Sequence, residues 1–449
     1  MHQVSLFRCT NGLVQLALIV LTVQLFIVIG ASSTPLGLPK NNDNQIHKSL
    51  PSGDVGPRQQ ARTKDFNLNP VLFIPGDGGS QLEARLNKTE RVHYVCDLVS
   101  DWFDIWLNIH LLVYPVFDCL SDNLKLSYNR TTRTTQNSPG VEIRPTNFGS
   151  LDSVEYLDII HAPYTDYFHS IIATLERNNG MVPNVDMVGA PFDFRKAPNE
   201  LEEFFVNLTA LVERHYVRNN YRPVTLICHS MGCLHSLYLL NRQSDNWKQV
   251  YVSRLISLAA PWGGSFKAIS AMLYGDNLGI PLLNKNKLQA LQSTFPSLMY
   301  LFPREPTFEN ERVLVETPTK NYTLKNLDDL FKDADLPDQM EMWHDTRAIT
   351  NNFRAPNVEL WCLYGSGIET PSKIIYEGSI GSSKYLEIQG DGDGTVNIDS
   401  LRTCEMFGKQ QEKPVYTRMF PGVDHINILR GTVAADFIST YILADDLVV

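Results

Sequence analysis

One stretch constrains the fold of this chain more than any other: TLICHSMGCLHSLYLL, at positions 225–240. The apolar run at 224–227 predicts a buried strand, and apolar residues that recur at helical spacing from Met231 predict a helix that follows at once. Ser230 stands in the turn between them, in a small-x-Ser-x-Gly pattern. A serine at such a sharp turn is exposed for nucleophilic attack, and the small residues let the turn close. Ser230 is therefore a candidate nucleophile, although the pattern alone also fits an ordinary turn serine.

Candidate partners of this serine lie far downstream. His425 stands in MFPGVDHINILRG, after an apolar run and before a predicted amphipathic helix, and on its own it also fits a surface loop histidine. Asp391 and Asp393 follow a predicted strand at 385–388. We expect Asp393 to be the acid and Asp391 to hold the backbone amides of its loop. The resulting chain order of Ser, Asp and His is that of an α/β-hydrolase.

A calcium site is the alternative explanation of the GDGDG run around Asp391. A calcium loop that started at Asp391 would need glycine in place of Val396 and glutamate in place of Arg402, so this explanation is excluded. The sequence has no CxxC pair, no His/Cys cluster and no glycine-rich phosphate-binding fingerprint. We therefore expect neither a metal ion nor an organic cofactor.

An early turn offers the second half of an oxyanion hole. In PVLFIPGDGGSQLEARL, residues 71–74 predict a short buried strand and residues 75–79 a tight turn. Oxyanion holes of this kind use the backbone N–H of the residue after the nucleophile and one from a loop after an early strand. The sequence therefore predicts the N–H groups of Met231 and Asp77 as the two donors.

The N-terminus predicts entry into the secretory pathway. Arg8 precedes an apolar stretch at 13–29 and small residues follow, which is the pattern of a signal peptide over residues 1–33. The alternative is an uncleaved anchor, since the stretch is almost long enough to span a bilayer. Residues 34–68 are polar and rich in Pro, Gly and Asn, which predicts a flexible leader before the folded domain at 69–449.

Secretory entry also changes what the cysteines and asparagines mean. Once Cys9 leaves with the signal peptide, six of the seven cysteines remain, and we expect Cys228 and Cys233 to be free. The other four allow two disulfides whose pairing the spacing leaves open: Cys96, Cys119, Cys362 and Cys404. Four sequons predict N-glycosylation, at Asn87, Asn129, Asn207 and Asn321.

The composition fits a large folded protein. The chain has 449 residues, of which 43% are hydrophobic and 20% charged, which is ample for a large core. Its net charge of −10 and its lack of a dense Lys/Arg block argue against nucleic acid as a partner.

Together these motifs resemble the lecithin:cholesterol acyltransferase and lysosomal phospholipase A2 family. The match runs from about Asn69 to the C-terminus, through PGDGGSQLEARLNK, DWFDIWLNIHLL, GAPFDFRKAPN, CHSMGC, LAAPWGGS, LWCLYGSGIETP, GDGDGTVN and DHINIL. The resemblance implies an α/β-hydrolase with a mainly parallel sheet, a lipid-binding loop subdomain at 95–120 and a cap insertion at about 265–350. It implies action on phospholipid acyl esters.

Carried over residue by residue, the resemblance implies Ser230 as nucleophile, Asp393 as acid, His425 as base, and disulfides Cys96–Cys119 and Cys362–Cys404. Asp77 favours the lysosomal branch, since the cholesterol-esterifying branch has cysteine there. Cys233 looks more like that other branch, and Cys228 departs from both, where glycine or alanine is usual.

The function expected is a serine phospholipid acyl hydrolase with transacylase capacity, in the lysosome lumen or secreted, working at acid pH because of the Asp77 carboxyl group. Two alternatives stay open: an extracellular phospholipid:sterol acyltransferase, and a lipid-binding protein without turnover. A lipophilic alcohol is a candidate acyl acceptor, and the sequence leaves the acceptor open.

The expected partner is a phospholipid membrane or a lipoprotein surface. The segment DWFDIWLNIHLLVYP lies between Cys96 and Cys119. Composition alone favours a core role for its apolar side chains, but a short segment pinned by a disulfide cannot easily bury all of them. We expect this set to insert at the membrane interface: Trp102, Phe103, Trp106, Leu107, Leu111 and Leu112.

Overall fold

The computed structural model describes residues 68–113, 115–162, 164–276 and 285–443, all of which belong to one compact unit. The predicted signal peptide and all but the last residue of the predicted leader lie outside the described residues. No helix in the described ranges is long and apolar enough to cross a membrane.

The strands of the described residues carry most of the architecture. In chain order they are β1 (Val71–Ile74), β2 (Leu82–Asn87), β3 (Val99–Trp106), β4 (Leu126–Asn129), β5 (Thr134–Asn137), β6 (Val141–Pro145), β7 (Met187–Gly189), β8 (Val224–His229), β9 (Val252–Leu258), β10 (Val315–Glu316), β11 (Asn321–Tyr322), β12 (Glu359–Ser366), β13 (Ile368–Tyr376), β14 (Tyr385–Gly392) and β15 (Val415–Pro421).

A six-stranded parallel sheet forms the centre, with the strand order β15-β12-β9-β8-β1-β7. Every residue of β1 and β8 is buried. This is why both strands read as continuous apolar runs, since a parallel sheet covered by helices buries both faces of its strands. The predicted α/β-hydrolase class is confirmed.

The helices connect and cover these strands. They are α1 (Val116–Leu124), α2 (Asp152–Glu155), α3 (His169–Asn179), α4 (Glu202–Arg218), α5 (Met231–Arg242), α6 (Asp245–Tyr251), α7 (Phe266–Tyr274), α8 (Lys285–Gln292), α9 (Pro296–Tyr300), α10 (Leu327–Asp333), α11 (Pro337–Thr350), α12 (Ile398–Leu401), α13 (Cys404–Phe407), α14 (Asn427–Arg430) and α15 (Thr432–Phe437), with 3-10 turns at Ile109–Leu112, Pro198–Glu200 and Leu324–Asn326 and a π turn at Ile438–Ile442.

The helix predicted after His425 is present, as α15 and the π turn that continues it. A further short helix, α14, precedes it, and Gly431 separates α14 from α15 with an extended backbone. The spacing of apolar residues does not predict the break at Gly431, because buried positions occur on both sides of it.

Smaller sheets surround the central one. Strand β2 lies between β3 and β6, while β4 pairs with β5. A four-stranded sheet has the order β11-β10-β13-β14. The interval expected to form a cap, 265–350, contains α7 to α11 with β10 and β11, and its role as a cap stays a prediction.

The four sequons lie in different settings. Asn87, Asn207 and Asn321 are exposed. Asn129 is half-buried, and its side-chain oxygen accepts hydrogen bonds from the N–H groups of Thr131 and Thr132. Attachment of glycans at these positions stays a prediction.

Candidate active site

Ser230 lies in a strained turn between β8 and α5. Its backbone has φ 51° and ψ −127°, a region that side-chain-bearing residues rarely occupy and that is typical of functional sites. Its N–H donates to the carbonyl of Leu258 at 2.9 Å. Gly232 lies so close to β1 that a Cβ there would be 2.1 Å from the carbonyl oxygen of Pro75. The small residue two positions after the serine is thus required by the packing of α5 against the end of β1.

The structure brings Ser230, His425 and Asp393 together. Nε2 of His425 lies 3.0 Å from Oγ of Ser230, and its Nδ1 lies 2.8 Å from Oδ2 of Asp393. All three residues are buried. This arrangement allows the imidazole to accept a proton from the serine while the carboxylate fixes the orientation of the ring.

Asp393 reaches the site from outside the central sheet. It follows β14, which pairs with β13 in the four-stranded sheet. Its Oδ1 accepts the N–H groups of Thr395 and Val396 at 3.0 and 2.7 Å, and its backbone carbonyl accepts the N–H of His425 at 2.8 Å. Asp391 instead accepts the N–H of Gly367 at 2.7 Å. The expectation that Asp391 holds the amides of this loop is therefore wrong, because Asp393 does so itself.

The loop that carries His425 follows β15 and is held on β12. The N–H of Gly422 donates to the carbonyl of Ser366 at 2.7 Å. A Cβ on Gly365 would be 1.8 Å from the carbonyl oxygen of Val423, so only glycine allows this approach. Oδ1 of Asp424 accepts the N–H of Asn427 at 2.8 Å and so closes the turn after the histidine.

The 75–79 turn lies directly against the serine. A Cβ on Gly76 would be 2.8 Å from Cβ of Ser230, and the N–H of Gly79 donates to the carbonyl of Gly76 at 3.1 Å. Within the described residues the N–H of Asp77 has no acceptor. Met231 begins α5, so its N–H has no partner within the helix. Both predicted donor amides are thus available for a substrate oxygen.

Two aromatic side chains hold this turn, and neither was expected in that role. Nε1 of Trp106 donates to the carbonyl of Gly78 at 2.8 Å. The hydroxyl oxygen of Tyr167 accepts the N–H of Gly76 at 2.9 Å. The sequence placed Trp106 among the membrane-inserting residues and offered no signal for Tyr167, because the contact joins residues 91 positions apart.

Asp77 has an unusual carboxyl group. The residue is partly open to solvent. Neighbouring protein atoms nevertheless desolvate its carboxyl group, and this desolvation is the main cause that raises its pKa to about 7. The nearby Asp276 raises the pKa further, while the N–H of Gly78 and His425 lower it. The group therefore carries a proton in mildly acid solution and loses it near neutrality.

The cysteines form three disulfides. Cys96 pairs with Cys119 and Cys362 pairs with Cys404, the pairs that the resemblance implies. The expectation that Cys228 and Cys233 are free is wrong: the structure joins them, with their Cα atoms 4.9 Å apart. Linear spacing conceals this pair, because the sharp turn at Ser230 folds the end of β8 back beside the first turn of α5.

The residues expected to insert into a membrane have different surroundings in the structure. Trp102 lies beside the guanidinium groups of Arg85 and Arg144, at 5.2 and 3.9 Å from its ring. The N–H of Leu107 donates to the carbonyl of Leu157 at 2.9 Å. Several others of the set are partly buried against the core: Phe103, Trp106, Leu111 and Leu112. Among the described residues, no group of three or more His, Cys, Asp or Glu is placed to hold a metal ion.

Known proteins resemble this chain over most of its length. The family model for lecithin:cholesterol acyltransferase matches residues 102–353 and 341–432. The chain is 38% identical over 377 residues to lysosomal phospholipase A and acyltransferase of Rattus norvegicus, across 84% of this chain and 91% of the relative. It is 36% identical over 382 residues to phosphatidylcholine-sterol acyltransferase of Homo sapiens, across 84% and 85% of the two chains.

A solved structure supports the fold independently. The crystal structure of the Tle4-Tli4 complex aligns with a TM-score of 0.54 and 12% identity, and the alignment covers 85% of this chain and 99% of that chain. At this identity the likeness concerns the fold alone. With the family model and relatives of 36–38% identity along most of its length, the chain belongs to the lecithin:cholesterol acyltransferase family.

Proposed function

We propose that the chain is a serine phospholipid acyl hydrolase, a phospholipase A, that also transfers acyl groups to alcohols. The observation that carries this proposal is the hydrogen-bonded series of Ser230, His425 and Asp393 beside two unused backbone N–H groups. The names of the relatives, lysosomal phospholipase A and acyltransferase and phosphatidylcholine-sterol acyltransferase, support a phospholipid as acyl donor.

In the first half of the reaction Nε2 of His425 takes the proton of Ser230 as Oγ attacks the ester carbonyl carbon. The carbonyl oxygen becomes negative and is stabilised by the N–H groups of Asp77 and Met231. Asp393 stabilises the charged imidazole. The tetrahedral intermediate then collapses, the ester bond breaks, and His425 gives its proton to the departing alcohol, which leaves an acyl-enzyme.

In the second half water or an alcohol attacks the acyl group. His425 takes the proton of the attacking hydroxyl, and the bond between the acyl carbon and Oγ of Ser230 breaks. His425 then returns the proton to Ser230. Water yields a fatty acid, and a lipophilic alcohol yields a new ester, so one site supports both hydrolysis and transfer.

The lysosomal branch is favoured by Asp77. Its carboxyl group is next to the amide that donates to the oxyanion, so an ionised form would repel the negative charge of the transition state. Because its pKa is raised to about 7, the group is neutral in acid solution and this repulsion is absent there. We propose activity at acid pH, in the lysosome lumen or after secretion, with exposed sequons at Asn87, Asn207 and Asn321 available for glycans.

Contact with the membrane is proposed for the segment closed by Cys96–Cys119. Leu111 and Leu112 lie in the 3-10 turn at Ile109–Leu112, none of whose residues is fully buried. Half-exposed leucines at such a turn suit the headgroup boundary of a bilayer. Trp106 belongs to the same segment and also holds the 75–79 turn, so lipid contact lies close to the site of attack.

One assay tests these assignments together. Purified enzyme is incubated with liposomes of fluorescent phospholipid, alone, with a long-chain alcohol, or with a sterol. Release of fatty acid and an ester formed with the alcohol support the proposal, and a sterol ester as the main product would favour the extracellular acyltransferase. Lipid binding without any product would identify a binding protein. Ser230→Ala and His425→Ala should each remove nearly all turnover, because the triad acts as a unit.

A further inference from the structure

The residue before the nucleophile contacts the loop of the base. Nε2 of His229 lies 3.0 Å from the backbone carbonyl oxygen of His425. Because a carbonyl oxygen only accepts hydrogen bonds, Nε2 must carry the ring proton. Nδ1 of the neutral ring is then an acceptor. The mechanism above does not use this imidazole.

Tyr167 supplies the donor for that acceptor. Its hydroxyl lies 2.5 Å from Nδ1 of His229 and also accepts the N–H of Gly76 at 2.9 Å. The Gly76 amide, the Tyr167 hydroxyl, the His229 ring and the His425 carbonyl thus form one hydrogen-bonded chain. Every donor in it meets an acceptor, and no atom has to donate and accept with the same proton or lone pair.

The surroundings keep this chain in one protonation state. Burial, assisted by the nearby His425, holds the pKa of His229 well below its usual value, and burial raises the pKa of the Tyr167 hydroxyl. Only 2% of His229 and 3% of Tyr167 are accessible, so water does not compete for their hydrogen bonds. The lowered pKa favours the neutral ring of His229, and the raised pKa favours the protonated hydroxyl of Tyr167.

The two ends of this hydrogen-bonded chain lie next to the groups that act on the ester, the proposed oxyanion amide and the proposed base. Gly76 directly precedes Asp77, whose amide is a proposed oxyanion donor. A Cβ on Gly76 would be 2.8 Å from Cβ of Ser230 and 3.1 Å from the Tyr167 hydroxyl, so this position has no room for a side chain and the turn lies close to both residues. The other end is the backbone of the proposed base, His425.

We propose that Tyr167 and His229 are positioning residues. They link the 75–79 turn to the backbone of His425 by hydrogen bonds. This link fixes the positions of the Asp77 amide and of the His425 imidazole relative to Ser230. The inference rests on the proposed function of Ser230, His425 and Asp77. Neither positioning residue touches the acyl group.

The test begins with Tyr167→Phe, which removes one hydroxyl and keeps the ring that packs beside Gly79. We expect kcat for a soluble short-chain ester to fall on the order of 10- to 100-fold with KM nearly unchanged, since the loss is made in the transition state. A long-chain trifluoromethyl ketone forms a tetrahedral adduct at the serine, so its affinity should fall by a similar factor.

A second variant tests whether the two residues act as one chain. His229→Phe keeps an aromatic ring and removes both ring nitrogens, so Tyr167 loses its acceptor. If the hydrogen-bonded chain is the cause, the double variant Tyr167→Phe/His229→Phe should lose no more kcat than the more damaged single variant. Additive losses in the double variant would contradict the inference.

The matched control is Tyr300→Phe. Tyr300 is equally buried, and its hydroxyl has no hydrogen-bond partner among the described residues, so kcat and ketone affinity should stay at wild-type values. The inference is overturned if Tyr167→Phe also keeps both values, or loses stability to urea without losing either. An inactive Ser230→Ala alongside an unaffected Tyr167→Phe would reject only the positioning role. An active Ser230→Ala would reject the proposed function as well.

Discussion

The indole N–H of Trp106 donates a 2.8 Å hydrogen bond to the carbonyl of Gly78, in the middle of the 75–79 turn. A residue of the expected membrane segment therefore supports the turn that lies beside Ser230. We predict that Trp106→Phe lowers kcat about 10-fold on a soluble short-chain ester and on liposomes alike, because the turn loses its support. Co-sedimentation with liposomes should be unchanged, and a loss confined to liposomes would contradict this role.

Leu111→Ser should behave in the opposite way. The side chain is half-exposed in the 3-10 turn at Ile109–Leu112, so its proposed role is lipid contact. We predict weaker liposome binding and slower liposome hydrolysis, with normal hydrolysis of the soluble ester. Equal losses on both substrates would show that Leu111 is a core residue.

Asp77→Asn should change the pH profile. Wild-type activity is expected to fall as pH rises through about 7, where the Asp77 carboxyl ionises. An amide cannot ionise, so the descending limb of the variant should move to higher pH. Liposome hydrolysis between pH 4 and 8 measures this, with Asp77→Cys as a second variant. An unchanged profile, or a wild-type optimum near pH 7.5, would reject the acid-pH mechanism.

His235 predicts how stability depends on pH. Burial lowers its pKa from 6.5 to about 4. Between these pH values the folded state therefore binds fewer protons at His235 than the unfolded state does. Through this one group, the free energy of unfolding falls by about 3 kcal/mol as pH drops from 6.5 towards 4. His235→Phe keeps a ring beside Phe192 and should reduce this loss. Urea unfolding at pH 4.5 and 7 tests it, with the exposed His110→Phe as control.

The Cys228–Cys233 disulfide predicts a measurable gain in stability. Replacing both cysteines by alanine should lower the free energy of unfolding by about 2 kcal/mol, because a short closed loop constrains the unfolded chain. Alkylation of the unreduced, unfolded protein followed by mass spectrometry should leave both cysteines unlabelled. Two alkylated thiols at these positions would contradict the pairing.

The sequence by itself determined the elements next to the chemistry. The strands predicted at 71–74 and 224–227 are β1 and β8, and the helix predicted from Met231 is α5. These elements could be predicted because a buried parallel strand and a sharp serine turn each depend on the types of a few neighbouring residues. The proposed residues Ser230, Asp393 and His425 could be named for the same reason, from three short motifs.

Only the tertiary structure decided how these motifs are supported. It showed that β14, which delivers Asp393, belongs to the four-stranded sheet, and that Cys228 and Cys233 are joined. It also placed Trp106 and Tyr167 on the 75–79 turn. Each of these facts depends on which residues the folded backbone brings together, by long-range packing or by the reversal at Ser230. Local periodicity and spacing carry no information about such contacts, so they become visible only once the chain is folded.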